Sequence, residues 1–148
     1  MKPKSKILII HGPNLHLLGK REPDIYGKLN LDEINHKLTR IAEDKGVELE
    51  IFQSNSEGEI VNTITKGNYD FLIINPAAYT HTSVAIRDSL LAVGKPAIEV
   101  HISNIYKREE FRKKSLVSDV VIGIISGLGA LSYYLALQGA SEYLDSNS

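Results

Sequence analysis

The chain has no cysteine, which removes disulfides, a thiolate nucleophile, zinc–thiolate sites and iron–sulfur clusters from consideration. Any chemistry must run on oxygen and nitrogen groups, and a cysteine-free chain suits a reducing cytoplasm, the expected location. An excess of charge is also missing, since 17 Lys and Arg against 18 Asp and Glu leave a net charge of -1. Nucleic-acid-binding domains are usually visibly basic, so no nucleic-acid partner is expected. No apolar run approaches the ~20 residues of a membrane span, and no membrane partner is expected. The opening MKPKSKILII is basic and then apolar, but no small-residue cleavage site follows before His11-Gly12-Pro13-Asn14. It reads as a first strand and not as a signal peptide.

Several familiar signatures fail on spacing. Gly12 to Lys20 imitates a phosphate-binding loop, yet six residues separate the glycines instead of four, and Arg21 stands where Ser or Thr must reach magnesium. Gly127-Leu128-Gly129-Ala130-Leu131-Ser132 begins like a dinucleotide fingerprint, but the third glycine is a serine and too little chain follows for a ribose-binding acid. It reads as a tight turn into the last helix. The five histidines form neither HExxH nor a compact pairing with carboxylates, so no metal is expected. No receiver-type acidic cluster follows the first strand.

What remains is an ordinary globular composition, 148 residues with 43% hydrophobic and 24% charged, enough for one domain over 1–148 around one core. Lys6 to His11 is nearly all apolar, as a strand buried on both faces requires. Asn30 and Glu33 form a capping-box pattern before an amphipathic helix that ends at Gly46. Val47, Leu49 and Ile51 alternate with glutamates, an edge-strand pattern. A helix over about 57–66, a strand over 70–75, a helix from Ser83 to Gly94 and a strand over 97–101 continue the alternation. The segment from Ile102 to Ser118 reads as too polar for core, with a short helix near Arg108. Asp119 to Ile125 is the fifth strand, about 128–143 the last helix, and 144–148 a frayed tail. Five βα units predict an α/β, flavodoxin-like parallel sheet of order 2-1-3-4-5 with helices on both faces.

In such folds ligands bind beyond the carboxyl ends of the strands, at the switch point between strands one and three. The long loop from His11 to Gly27, carrying Asn14, His16, Arg21 and Tyr26, begins there; Asn75 and His101 end strands three and four. Each residue has a plain reading beside the functional one. Tyr26 reads as a packed loop aromatic or as a base, because a guanidinium within about 4–6 Å favours a phenolate by roughly 1–3 pKa units. His101 and His81 read as core or loop histidines, or as proton donors and ligand contacts. Asn14 and Asn75, each beside a proline, read as turn formers or as hydrogen-bond donors to a developing oxyanion. The run Lys107 to Lys114 reads as a solvated helical face, or its Arg108 and Arg112 join the backbone amides after His101 in holding a carboxylate. Arg87 and Asp88 read as surface charges or subunit contacts. Residue chemistry thus reaches a cofactor-independent acid–base site for a small, anionic, hydroxylated molecule.

GPNLHLLGKREPDIYG, NPAAYTHTSVAIRD, IEVHISN and REEFR, in this order and spacing, closely resemble type II 3-dehydroquinate dehydratase, over about 7–137. The resemblance implies a cofactor-free anti elimination of water from 3-dehydroquinate through an enolate, in the shikimate pathway for aromatic biosynthesis; a catabolic quinate role is the alternative. It implies Tyr26 as base with Arg21 depressing its pKa, Asn14 steadying the enolate through a water, and His101, with Asn75 nearby, protonating the departing hydroxyl. The amides of Ile102 and Ser103 would hold the substrate carboxylate, and His81 and Arg112 the ring hydroxyls. Arg108 matches a position near a closed lid, the lid being about 19–28. A homododecamer of four trimers would bring Asp88 to a neighbouring site. The chain departs from the family pattern at His16, Ala77, Tyr106 and Leu116; Ala77 replaces a common glycine, and a positive φ there would be costly. The rival from another class is a flavodoxin-like binding module without turnover.

Overall fold

The computed structural model describes residues 3–147. Five parallel strands, β1 (Lys6–His11), β2 (Glu48–Gln53), β3 (Phe71–Asn75), β4 (Ala97–His101) and β5 (Gly123–Ser126), lie in the order 2-1-3-4-5, as expected. In β1, Ile7 and Ile9 face one layer while Leu8 and Ile10 face the other, and all four are essentially buried. The long helices α2 (Leu31–Lys45) and α5 (Leu131–Ser146) cover the first face. Helices α3 (Glu57–Lys66) and α4 (Val84–Val93) cover the second through Ile60, Ile64, Ile86 and Leu90. A continuous apolar strand therefore means two covered faces, whereas β2, with Glu48 and Glu50 exposed, is an edge.

Capping sets the helix starts. Asn30 Oδ1 accepts from Glu33 N–H at 2.8 Å while Glu33 Oε1 accepts from Asn30 N–H at 3.3 Å, the reciprocal box read from the sequence. Ser56 and Ser83 cap α3 and α4 by the forward bond alone, their Oγ atoms accepting from the N–H of Glu59 and Ile86. No helix among the described residues is long and apolar enough to cross a membrane.

Several expectations need correction. The fifth strand starts at Gly123 and not Asp119, because Ser118–Val120 is a 3-10 turn whose Val120, with Val117 and Val121, packs into the α3/α4 layer; sheet pairing begins when Ile122 N–H reaches Ala97 O at 2.9 Å. The last helix starts at Leu131 because Gly127 and Gly129 both hold left-handed conformations. It also runs through the supposed frayed tail to Ser146, since Leu144 packs against the core and Asn147 Nδ2 donates to Tyr143 O at 2.8 Å. Ser148 lies outside the described residues.

The polar segment after β4 is not a helix near Arg108. It forms 3-10 turns at Ile105–Lys107 and Glu110–Lys113 with Arg108 extended between them, so Arg108 and Arg112 share no helical face. Nor is it wholly outside the core, for Ile105 and Val117 are buried. The long loop after β1 also has internal order: a 3-10 turn at Leu15–Leu17 and the single helical turn α1 (Pro23–Tyr26).

Candidate active site

Gly12 explains how the loops after β1 and β3 close on one another. Its N–H donates to Asn75 O at 2.8 Å, and a Cβ there would stand 2.7 Å from the Pro76 carbonyl carbon. This approach opens a cavity at the carboxyl ends of β1, β3 and β4, with about 570 Å³ of free space including its mouth. The structure brings Asn14, Arg21, Tyr26, Asn75, His81, His101, Ile102, Ser103 and Arg112 to its wall, together with Arg108. Of the expected site residues only Asp88 is elsewhere, exposed on α4 outside this chain's cavity.

Backbone strain collects here. Among the described residues the non-glycine positions with positive φ are Asn14 (69°), Glu22 (41°) and Ala77 (52°). Asn14 and Ala77 line the cavity, and Glu22 follows Arg21. Asparagine tolerates this region better than most residues. Ala77, where the family pattern has glycine, stays in the left-handed conformation and carries its cost, with its N–H donated to Asn75 Oδ1 at 3.0 Å. Such strain persists only where the surroundings over-determine it, commonly at active sites.

Two arginines meet Tyr26. Arg108 Nη1 donates to the phenol oxygen at 2.7 Å, and the guanidinium carbons of Arg21 and Arg108 lie 5.2 and 5.1 Å from the ring centroid. Arg108 thus places a positive charge on the phenol oxygen, and Arg21 places a second one beside the ring. The resemblance gives Arg21 the tuning role by proximity and Arg108 a place near the lid; Arg21 does stand over the ring, and the direct bond to the oxygen belongs to Arg108.

Facing this pair, His101 is 4% exposed and its Nε2 lies 2.5 Å from Glu99 Oε2. Glu99, fully buried, also accepts from Ser115 Oγ at 3.1 Å and Ser118 Oγ at 2.5 Å. Burial alone would push its carboxyl up, but the His101 hydrogen bond and charge, with the two serines, outweigh that and hold it below the usual carboxylate value. An ionised Glu99 accepts the Nε2 proton of His101, which leaves Nδ1 for proton exchange with a ligand. The sequence reading missed Glu99. Its signal was two-residue spacing from His101 on a strand, which puts both side chains on one face.

His81 donates Nδ1–H to Lys114 O at 2.8 Å, so its neutral Nε2 is an acceptor. Burial, with the nearby positive charges of His101 and Arg112, pushes it below the ordinary histidine value against the pull of the Lys114 bond. Arg112 is steadied by Glu109, Nε to Oε1 at 3.1 Å. Among the described residues no group of three or more His, Asp or Glu is placed to hold a metal ion.

With this geometry established, comparison with known proteins is direct. The family described as dehydroquinase class II matches residues 5–141. A protein named 3-dehydroquinate dehydratase from Francisella philomiragia is 55% identical over 139 residues, spanning 94% of this chain and 96% of that one. Another of the same name, from Polynucleobacter asymbioticus, is 56% identical over 95% of this chain and 96% of its own. The crystal structure of type II dehydroquinase from Butyrivibrio crossotus superimposes with a TM-score of 0.91 at 43% identity, covering 93% of this chain and 97% of that one.

Proposed function

This chain belongs to the dehydroquinase class II family, and we propose that it dehydrates 3-dehydroquinate to 3-dehydroshikimate by anti elimination through an enolate. The observation that carries the mechanism is the pairing, across one cavity, of a tyrosine oxygen bonded to Arg108 with a histidine backed by a buried carboxylate. Tyr26, as phenolate, takes the proton from C2, with Arg21 and Arg108 supplying the compensating charge. Asn14 steadies the enolate oxygen through a water. His101 then delivers a proton from Nδ1 to the departing hydroxyl while Glu99 holds Nε2.

The amides of Ile102 and Ser103 hold the substrate carboxylate, and His81, Arg112 and Asn75 hold its hydroxyls or the leaving oxygen. An elimination of water moves no electrons to an acceptor, so the reaction needs no redox cofactor. The loop of about 19–28 acts as a lid, a role supported by the unbroken exposure of Lys20 to Ile25 and by Tyr26 closing the cavity from it. We further propose one catalytic unit over 1–148, a cytoplasmic biosynthetic role in the shikimate pathway, and a homododecamer. The assembly is supported by exposed Ile122, Ile124, Leu128 and Leu131 beside the β5 edge, and it would carry Asp88 to a neighbour's cavity. Sedimentation at micromolar protein tests it; a monomer at all concentrations would rule it out.

The activity itself is tested by following the ultraviolet absorbance of the conjugated enone when purified protein meets 3-dehydroquinate with and without chelator. The expected result is a rise that chelator leaves intact. No rise sinks the dehydratase reading, and a rise abolished by chelator sinks the metal-independent mechanism.

A further inference from the structure

One buried network has no part in the chemistry above. His11, at the end of β1, is fully buried, and its Nδ1 and Nε2 meet Tyr133 Oη and Asn35 Oδ1, each at 2.8 Å. Tyr133, fully buried on α5, lies 3.0 Å from Asn75 Nδ2. Asn75 lines the cavity; His11 and Tyr133 do not.

Counting donors gives the network a direction. The Ala77 N–H, 3.0 Å from Asn75 Oδ1, can only donate, so that atom is the carbonyl oxygen and the amide nitrogen faces Tyr133. Nδ2 therefore donates to Tyr133 Oη. The phenol proton has one partner left, His11 Nδ1, and leaving a buried hydroxyl proton unpaired is costly. With Nδ1 bare, the ring proton sits on Nε2 and is donated to Asn35 Oδ1. Every group is then satisfied, and the histidine is neutral; burial pushes it down to about 4 against the opposing Asn35 bond.

We infer that the Ala77 N–H sets which end of the Asn75 carboxamide is oxygen, and that the chain Asn35–His11–Tyr133 holds the other end, so that together they fix how Asn75 meets a ligand in the cavity, His11 and Tyr133 being positioning residues that never touch it. One Nδ2 hydrogen is committed to Tyr133 and one Oδ1 lone pair to Ala77. One hydrogen and one lone pair remain, in fixed places, for a hydroxyl that both donates and accepts. Turning the amide over would set Nδ2 against the Ala77 N–H, two donors facing each other. That the ligand is turned over rests on the function proposed above; the chain itself does not.

Nitrogen-15 NMR of ligand-free protein labelled at histidine reads the chain without any substrate. The expected spectrum has His11, identified by the signal lost in His11→Gln, as the neutral Nε2–H tautomer at pH 7; the Nδ1–H tautomer overturns the proton order. Kinetics then read the positioning. Tyr133→Phe and His11→Leu should each lower kcat/KM about five- to tenfold, the worth of one hydrogen bond. His11→Gln, whose Oε1 can accept from Tyr133 and whose Nε2 can donate to Asn35, should retain more activity than His11→Leu, and equal losses overturn the inference. Adding Tyr133→Phe to Asn75→Ala should cost nothing further, whereas losses that multiply would make Tyr133 merely structural. If the protein never acts on 3-dehydroquinate, the tautomer still reports on the chain, so the two failures are distinguishable.

Discussion

His101 and Asn75, at the ends of adjacent strands in the middle of the sheet, are 4% and 3% exposed, and each is bonded to a group still more deeply buried. Across the cavity, Lys20 to Ile25 are exposed throughout, and half-buried Tyr26 is held by one 2.7 Å bond, two guanidinium–ring contacts and packing at the margin of the core. The first side owes its geometry to the core and cannot move without breaking it. The second owes its geometry to turns within its own loop and to the contacts of Tyr26 with Arg108 and the core margin, and can open without disturbing the sheet. In the proposed mechanism, such a division keeps the proton donor rigid and lets the base come and go with the ligand.

The division predicts how each side fails. Tyr26→Phe should lower kcat about 100- to 10,000-fold, the usual worth of a positioned base, with the melting transition nearly unmoved; circular dichroism and the enone assay report both, and substantial residual turnover would exclude Tyr26 as the base.

The strand side should instead be sensitive to acid. Unfolded His11 takes up a proton near its ordinary value of 6.5, whereas burial holds the folded group down to about 4. Between those values the unfolded chain binds more protons, so stability falls as pH drops from 6.5 to 4, by about 3 kcal/mol in total. Glu99, held below its ordinary value, adds a loss at lower pH, as its carboxyl becomes protonated. Urea unfolding of wild type and His11→Gln at pH 7, 5.5 and 4.5 isolates the histidine: the variant should show a shallower fall, and parallel curves would refute the assignment.

Glu99→Gln keeps shape and removes a charge from the His101 bond. A charged hydrogen bond is worth about 1.5–3 kcal/mol, so kcat should fall roughly 10- to 100-fold. If the rigid side matters as argued, KM changes less than kcat; a change confined to KM would assign Glu99 to binding. The smallest effect is expected at Ala77, whose φ of 52° favours glycine. Ala77→Gly should raise unfolding stability by about 1 kcal/mol, the left-handed penalty less the added chain entropy. Equal or lower stability in denaturant would show that the β3 loop holds alanine there without strain.

Legibility followed the range of the interaction. The strand order, the capping box at Asn30 and Glu33 and the cost at Ala77 were readable because each rests on periodicity, short spacing or a single residue's conformational range. The fifth strand starts late because apolar residues serve two layers in quick succession, Val117, Val120 and Val121 feeding the α3/α4 core before Ile124 joins the sheet, and the last helix starts late because Gly127 and Gly129 take left-handed turns first. Glu99 went unread because a lone glutamate in an apolar strand has meaning only once Ser115, Ser118 and His101 surround it.

The sequence by itself determined the five βα units, the switch-point crevice and the residue types that line it, since hydrophobic period and strand-end position are local properties. Only the tertiary structure decided which arginine holds the Tyr26 oxygen, which carboxylate backs His101, and that His11 and Tyr133 stand behind Asn75. Those pairs are separated by 82, 2, 122 and 58 positions along the chain for Arg108–Tyr26, His101–Glu99, His11–Tyr133 and Tyr133–Asn75. A hydrogen bond depends on distance and direction in space, and even the two-residue pair acquires its strength from burial that the whole sheet supplies.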